Sequence, residues 1–357
     1  MNKSKLALLN KYFDAIKSSE LKSLGLMLGS AKAGTKKELR TALNEQMGNL
    51  NTLWRLRESP TGLRVMGIDL GISNFAFTTF HWGKGMKRPV LKDMYKVQLA
   101  GDFVHLNEGE ISPPLRPEVM AMLGMNLANW LVKFDSNAYL IERQRSRSAS
   151  SSSILENILK VMILEYVLYS NLQNKIIRES LPVHLFPSLP KRMVDFTCSG
   201  LPIEQLLAGT KSGSNQKSKA LGSNLLSKKL RIALCRSLVF DQISGKQRRF
   251  FMFDLDPQFM ERCLAYPGDK TAINFYEISK GTSIDMDFKQ RNKNDDLCDS
   301  LLHGLVWMRW LSNYDTLLAF ASKHPIPDTD SQNQFKQLIE DFNESHNKFL
   351  LTVITHI

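Results

Sequence analysis

The chain has 357 residues, 43% of them hydrophobic, enough for a full enzymatic domain plus a smaller module around a true core. No run approaches the ~18–20 uninterrupted apolar residues of a membrane span, and Cys198, Cys235, Cys263 and Cys298 are too scattered for a zinc ribbon or a disulfide framework. A formal net charge of +12 points to a polyanionic partner, with nucleic acid ahead of an anionic membrane surface.

Leu6, Leu9, Phe13 and Ile16 recur at helical spacing, so the first residues read as an amphipathic helix of the folded protein. Their basic residues are all lysine, and Asp14 and Glu20 lie close by, which makes a poor transit peptide. A second short helix is expected over 21–28, a turn over 29–34, and a third helix opening at Thr35, with Glu38 three residues later in capping-box spacing. The string Gly34-Thr35-Lys36-Lys37-Glu38-Leu39-Arg40 resembles SAP-type helix-extended-helix modules. That resemblance implies that residues 1–57 form a small helical DNA-binding module touching the backbone through Lys36 and Lys37. A purely structural N-terminal cap is the plainer alternative.

After Glu58-Ser59-Pro60-Thr61-Gly62 the pattern becomes mixed. Strands are expected over 63–70, 73–82 and 90–98, an amphipathic helix over 117–134, and a buried strand over 138–141. Ser153 and Glu156 have the spacing of another capping box, opening a long helix to about Lys175. Three strands, helix, strand, helix is the order of an RNase H-like α/β core, a mixed sheet flanked by helices, here spanning 63–315. Between Lys211 and Arg249 ten basic residues accompany one acid, Asp241, and residues 209–229 are rich in Gly, Ser and Lys. This reads as a mobile basic loop leading into a basic helix. The last clear helix starts near Asp295 and runs through Trp310, with Leu297, Leu301, Leu305 and Met308 as its buried stripe. Residues 316–357 read as peripheral helices broken at Pro325-Ile326-Pro327.

Acids in unusual settings carry the chemistry. Asp69 stands inside the apolar run Val65-Met66-Gly67-Ile68-Asp69-Leu70, Glu142 at the exit of a buried strand, and Asp295, Asp296 and Asp299 at the start of a helix. A carboxylate among Val, Ile and Leu needs a partner, and a divalent cation could be that partner for all of them. Taken singly, Asp69 could cap a turn and the late acids could be a solvated helix start. Taken together, three or four acids on rigid elements match the demands of Mg²⁺-assisted phosphodiester hydrolysis. Asp299 lies three residues after Asp296 and four after Asp295, so it shares a face with either. His303 follows one turn on, as a packing or supporting residue. Arg143, Arg145 and Arg147 alternate directly after Glu142 and lead towards a helix start, an arrangement suited to phosphate.

The strings Gly67-Ile68-Asp69-Leu70-Gly71-Ile72-Ser73-Asn74, Ile141-Glu142-Arg143-Gln144-Arg145-Ser146-Arg147 and Asp295-Asp296-Leu297-Cys298-Asp299-Ser300 closely resemble the fungal mitochondrial Holliday-junction resolvases, RuvC-type members of the RNase H-like superfamily. The resemblance covers residues 1–315. It implies a homodimer that binds four-way DNA junctions in mitochondria and nicks two opposed strands, using two Mg²⁺ ions per site, with Mn²⁺ as a substitute. It also implies Asp69, Glu142, Asp296 and Asp299 as catalytic metal ligands, with Asp295 the alternative to Asp296. The arginine string, together with Lys36, Lys37, Lys289, Arg291 and Lys293, would hold DNA. Two other classes compete: an actin- or sugar-kinase-type ATPase, for which a second phosphate turn is missing, and a non-catalytic DNA-binding scaffold, which leaves the acids unexplained.

Overall fold

Side-chain alternation along the central strand sets the architecture. In the computed structural model of the chain, which describes residues 2–72, 74–105, 114–144, 156–198, 216–246, 250–265, 273–281 and 294–354, β1 (Leu63–Asp69) places Leu63 and Val65 in one apolar core and Met66 and Ile68 in another. β2 (Asn74–Trp82) and β3 (Val90–Gln98) continue from it as an antiparallel meander. β4 (Ala138–Glu142) and β5 (His184–Ser188) add parallel to β1 on its other side. Short β6 (Asp254–Leu255) and β7 (Lys280–Gly281) both run parallel to β3, and the order is β5-β4-β1-β2-β3-β6 with β7 off that path. The mixed sheet is the one expected, and its first three strands match the sequence reading to within a residue. β5 is absent from that reading because Pro187 masks a strand that tolerates proline only by lying at the sheet edge.

The Met66 face is covered by α5 (Pro117–Leu131), which ends in a 3-10 turn over Val132–Phe134, and by α6 (Glu156–Arg178). A single turn, α4 (Leu99–Asp102), follows β3. The Ser153 capping spacing lies outside the described residues. On the opposite face are α1 (Asn2–Ala15), α2 (Ser18–Leu28), α3 (Lys36–Arg57), α7 (Pro190–Cys198), α8 (Gln216–Ile243), α11 (Asp295–Lys323) and α12 (Thr329–Ile354). The short helices α9 (Pro257–Leu264) and α10 (Phe275–Ile278) connect near β3. Two helices differ from expectation. α8 begins at Gln216, inside the segment read as a loop, and buries Leu230, Leu234, Cys235, Leu238 and Val239 at helical spacing, a tertiary contribution that outweighs its Gly and Ser content. α11 runs past Trp310 to Lys323, because Leu311, Tyr314, Leu317, Leu318 and Ala321 extend the buried stripe.

Helix α11 lies unusually close to the sheet. A Cβ on Gly67 would stand 2.6 Å from the Ser300 carbonyl oxygen, and one on Gly304 would stand 2.3 Å from the Phe80 ring. The buried Thr78 hydroxyl donates to that same Ser300 carbonyl at 3.0 Å. Gly304→Ala is therefore expected to cost about 1–3 kcal/mol by overpacking, read as a lowered urea midpoint with an unchanged slope. An unchanged midpoint would mean that α11 has room to lift.

The N-terminal helices join this core. Thr35 caps α3 as expected, accepting from the Glu38 N–H at 3.3 Å while Glu38 accepts from the Thr35 N–H at 2.8 Å. Leu9, Phe13, Leu24, Met27, Leu43 and Leu50 are buried in the same cluster as Leu305, Leu311 and Leu317 of α11. Gly29, at φ 75°, lies against Trp310, where a Cβ would be 2.3 Å from the ring. Asn313 donates to the Met27 carbonyl at 2.7 Å, and Trp54 donates to Asp315 at 2.9 Å. Removing residues 1–57 would strip α11 of this cover, so the truncated chain should aggregate or lose cooperative melting, as followed by size-exclusion chromatography and circular dichroism. A monodisperse, cooperatively melting product would show the core to be self-sufficient.

Candidate active site

Strand register assembles the site. Asp69 pairs with Ala76 of β2, Ala76 with Lys96 of β3, and Glu142 of β4 with Ser188 of β5. Since Ile68 is opposite Ile141 in the parallel β1–β4 pair, Asp69 and Glu142 are the next residues in step. Lys96, Ala76, Asp69, Glu142 and Ser188 thus form one row across five strands. Because side chains alternate, the row belongs to the face that carries Val65, Ala138 and Leu140, on which α11 is seated. Asp69 is two residues beyond Gly67, so it emerges where the first turn of α11 brings its own acids.

The result is a crowded set of carboxylates. Burial, first of all, pushes the Asp69 carboxyl well above the usual range, and the charges of Glu142, Asp296 and Asp299 add to it. Burial also raises Glu142, opposed by hydrogen bonds from Asp69 and the Leu70 N–H and by the charge of Arg231. Asp69 and Glu142 are hydrogen-bonded to each other, and the shared proton is held more tightly than an ordinary carboxyl would hold it. Two cations enter the same space. The Lys96 side chain is wholly buried, at 0% exposure, and its ammonium lies 3.0 Å from Asp296. Arg231 of α8 grips Asp299 with two hydrogen bonds, Nε to Oδ1 at 2.7 Å and Nη2 to Oδ2 at 3.0 Å. Burial opposes the Arg231 charge, yet its bonds to Asp299 outweigh that and its pKa is raised.

Each sequence-nominated residue has a definite place or none. Asp69, Glu142, Asp296 and Asp299 are brought together. Asp295 is ion-paired with Lys228 of α8. His303 is buried and tied through Nδ1 to the Ser188 hydroxyl at 2.7 Å, while that hydroxyl accepts from Trp307 at 2.9 Å. Burial and the nearby Arg231 lower His303 to about 3, so it is a neutral tie between α11 and β5. Arg143 is exposed beside the site, its N–H donating to the Ser188 carbonyl at 2.9 Å; Gln144 is held by Glu165 at 2.8 Å and by the Leu70 carbonyl at 3.3 Å. Arg145, Arg147, Lys289, Arg291 and Lys293 lie outside the described residues. Lys36 donates to the Asp14 carbonyl at 3.0 Å, and Lys37 is exposed at the start of α3. Their module meets α11 at Trp310, eleven residues or about 16 Å of helix beyond Asp299.

Sequence reasoning missed Lys96, Lys228 and Arg231. Among the described residues no three His, Cys, Asp or Glu side chains are drawn together tightly enough to hold a metal ion. Asp296 and Asp299 are engaged by Lys96 and Arg231 instead. The donor set nevertheless suits a hard divalent cation: four carboxylates on rigid elements, with the Asp69 carboxyl pushed up by burial and by its acidic neighbours. Asp69→Asn removes that buried acid from beside Glu142, so in EDTA the variant should melt higher than the parent by scanning calorimetry at pH 8. A lower melting temperature would mean that the Asp69 carboxylate stabilises the metal-free fold.

Comparison with known proteins places this arrangement. The family described as mitochondrial resolvase Ydc2 / RNA splicing MRS1 matches residues 65–317. The chain is 30% identical over 351 residues to cruciform cutting endonuclease 1, mitochondrial, of Saccharomyces cerevisiae, spanning 94% of this chain and 92% of that protein. It is 26% identical over 304 residues to the protein of the same name from Schizosaccharomyces pombe, spanning 83% of this chain and 92% of the relative. The crystal structure of the yeast mitochondrial Holliday junction resolvase Ydc2 superposes with a TM-score of 0.50 at 23% identity, covering 86% of this chain and 98% of that one. The fold is shared, and the RNase H-like core expected from the sequence is present.

Proposed function

This chain belongs to the family that joins the mitochondrial resolvase Ydc2 to the RNA-splicing protein MRS1, and from that premise we propose that it is a mitochondrial endonuclease that resolves four-way DNA junctions by metal-dependent hydrolysis. The observation that carries the reading is the convergence of Asp69, Glu142, Asp296 and Asp299 on one face of the sheet in a protein of net charge +12. A protein that only bound nucleic acid would gain nothing from a cluster of acids that repel its ligand.

Asp69 and Glu142 on the strands, with Asp296 and Asp299 on α11, would hold the metal. A pair of Mg²⁺ or Mn²⁺ ions, when bound, would supply activated water and stabilise the leaving 3′ oxygen. The chain's own residues do the rest. The fixed row on the sheet and the glycine-seated helix hold the backbone of the four acids rigid, so metal loading would call chiefly for side-chain movement at Asp296 and Asp299. Arg143, exposed beside Glu142, would hold a phosphate and set the scissile bond against the acids. Two copies acting as a homodimer would nick opposed strands, and Lys36 and Lys37 would extend the contact with DNA arms.

Asp69→Asn, Glu142→Gln and Asp296→Asn should each abolish cutting of a labelled four-way junction in Mg²⁺ while retaining binding in a metal-free gel shift. Asp295→Asn should do less damage than Asp296→Asn, because Asp295 faces α8. Loss of binding in step with cutting would make the acids structural. A wild-type protein that cuts no junction in Mg²⁺ or Mn²⁺ but binds structured RNA would place it with the splicing branch of the family.

A further inference from the structure

Three acids in the first turns of α11 each meet a cation from a neighbouring element: Asp296 meets Lys96 of β3, while Asp295 and Asp299 meet Lys228 and Arg231 of α8. The three pairs are not equivalent. Lys228 and Asp295 form a helix–helix contact with the Lys228 side chain 39% exposed. Lys96 and Arg231 instead hold the two α11 acids that act electrostatically on Asp69, with side chains 0% and 14% exposed. Both Asp299 oxygens are occupied by the Arg231 fork.

Resting on the metal-nuclease reading, we propose that Lys96 and Arg231 are internal counter-cations that hold Asp296 and Asp299 in place of metal, and that divalent ions load by displacing them. Ammonium and guanidinium groups satisfy the buried acids well enough for the fold to form, since leaving such carboxylates unpaired would be strongly destabilising. The same groups compete with a divalent cation for the same oxygens and repel it. Metal affinity in the absence of DNA is thereby kept low. A phosphate arriving at the site offers the displaced ammonium and guanidinium a new anionic partner, so metal and DNA should load together. Lys96 and Arg231 are positioning residues in this scheme, and they act through the acids they hold.

The sign of a metal-binding measurement tests this. Mn²⁺ binding to DNA-free protein, followed by the electron paramagnetic resonance of free Mn²⁺, should tighten by about tenfold or more in Lys96→Gln and in Arg231→Gln, because each removes a competing positive charge. Lys96→Arg should stay close to wild type, and Lys228→Gln should be unchanged. If a glutamine variant is unfolded in EDTA, Mn²⁺ should restore its circular dichroism. Affinity that is equal or weaker in both glutamine variants, or failure of Mn²⁺ to restore such a fold, overturns the proposal. That result in an enzyme that still cuts junctions in Mg²⁺ would leave the nuclease reading intact, whereas wild-type protein with no metal-dependent cutting would remove the reading itself.

Discussion

The rest of the structure depends on how closely α11 can approach β1. Gly67 in the strand and Gly304 in the helix remove the two side chains that would hold the layers apart. With the helix seated at that depth, its first turn arrives level with the end of β1, and Asp296 and Asp299 enter the field of Asp69. The opposite half of the same helix forms the floor on which the N-terminal helices pack through Trp310, Asn313 and Asp315. One 29-residue helix therefore carries core packing, module attachment and half of the acids.

This economy creates an electrostatic difficulty, because four half-buried acids share one small volume. The protein resolves it in two ways. Asp69 and Glu142 share a hydrogen bond, and Lys96 and Arg231 pair with the acids of α11. Neither arrangement is the most stable use of that space, since apolar residues of similar volume serve folding as well or better. On the proposed reading, both follow from a site built to accept positive charge.

Much of this was legible in the sequence, for physical reasons that differ by residue. Asp69 and Glu142 stand out because acids are costly among Val, Ile and Leu, and each ends a strand that is apolar and buried on both faces. Thr35 and Glu38 announce a helix start by local spacing alone. Lys96 escaped because its significance depends on register across three strands, and a bulge between Thr79 and Phe80 upsets any count made from the hairpin end. Arg231 escaped because the basic run around it looks solvated until the apolar stripe of α8 is seen to dock. The fusion of the N-terminal module to the core was equally hidden, since Gly29 meets Trp310 across nearly the whole chain.

The acids of α11 are tied to the fold through the cations they hold. Replacing Asp296 or Asp299 alone would take from Lys96 or Arg231, both largely buried, the carboxylate each is paired with, a costly change that only a matching loss of the cation would offset. Each pair joins two elements, β3 to α11 and α8 to α11, so a change at one end is felt at the other and the substitutions there should not be additive.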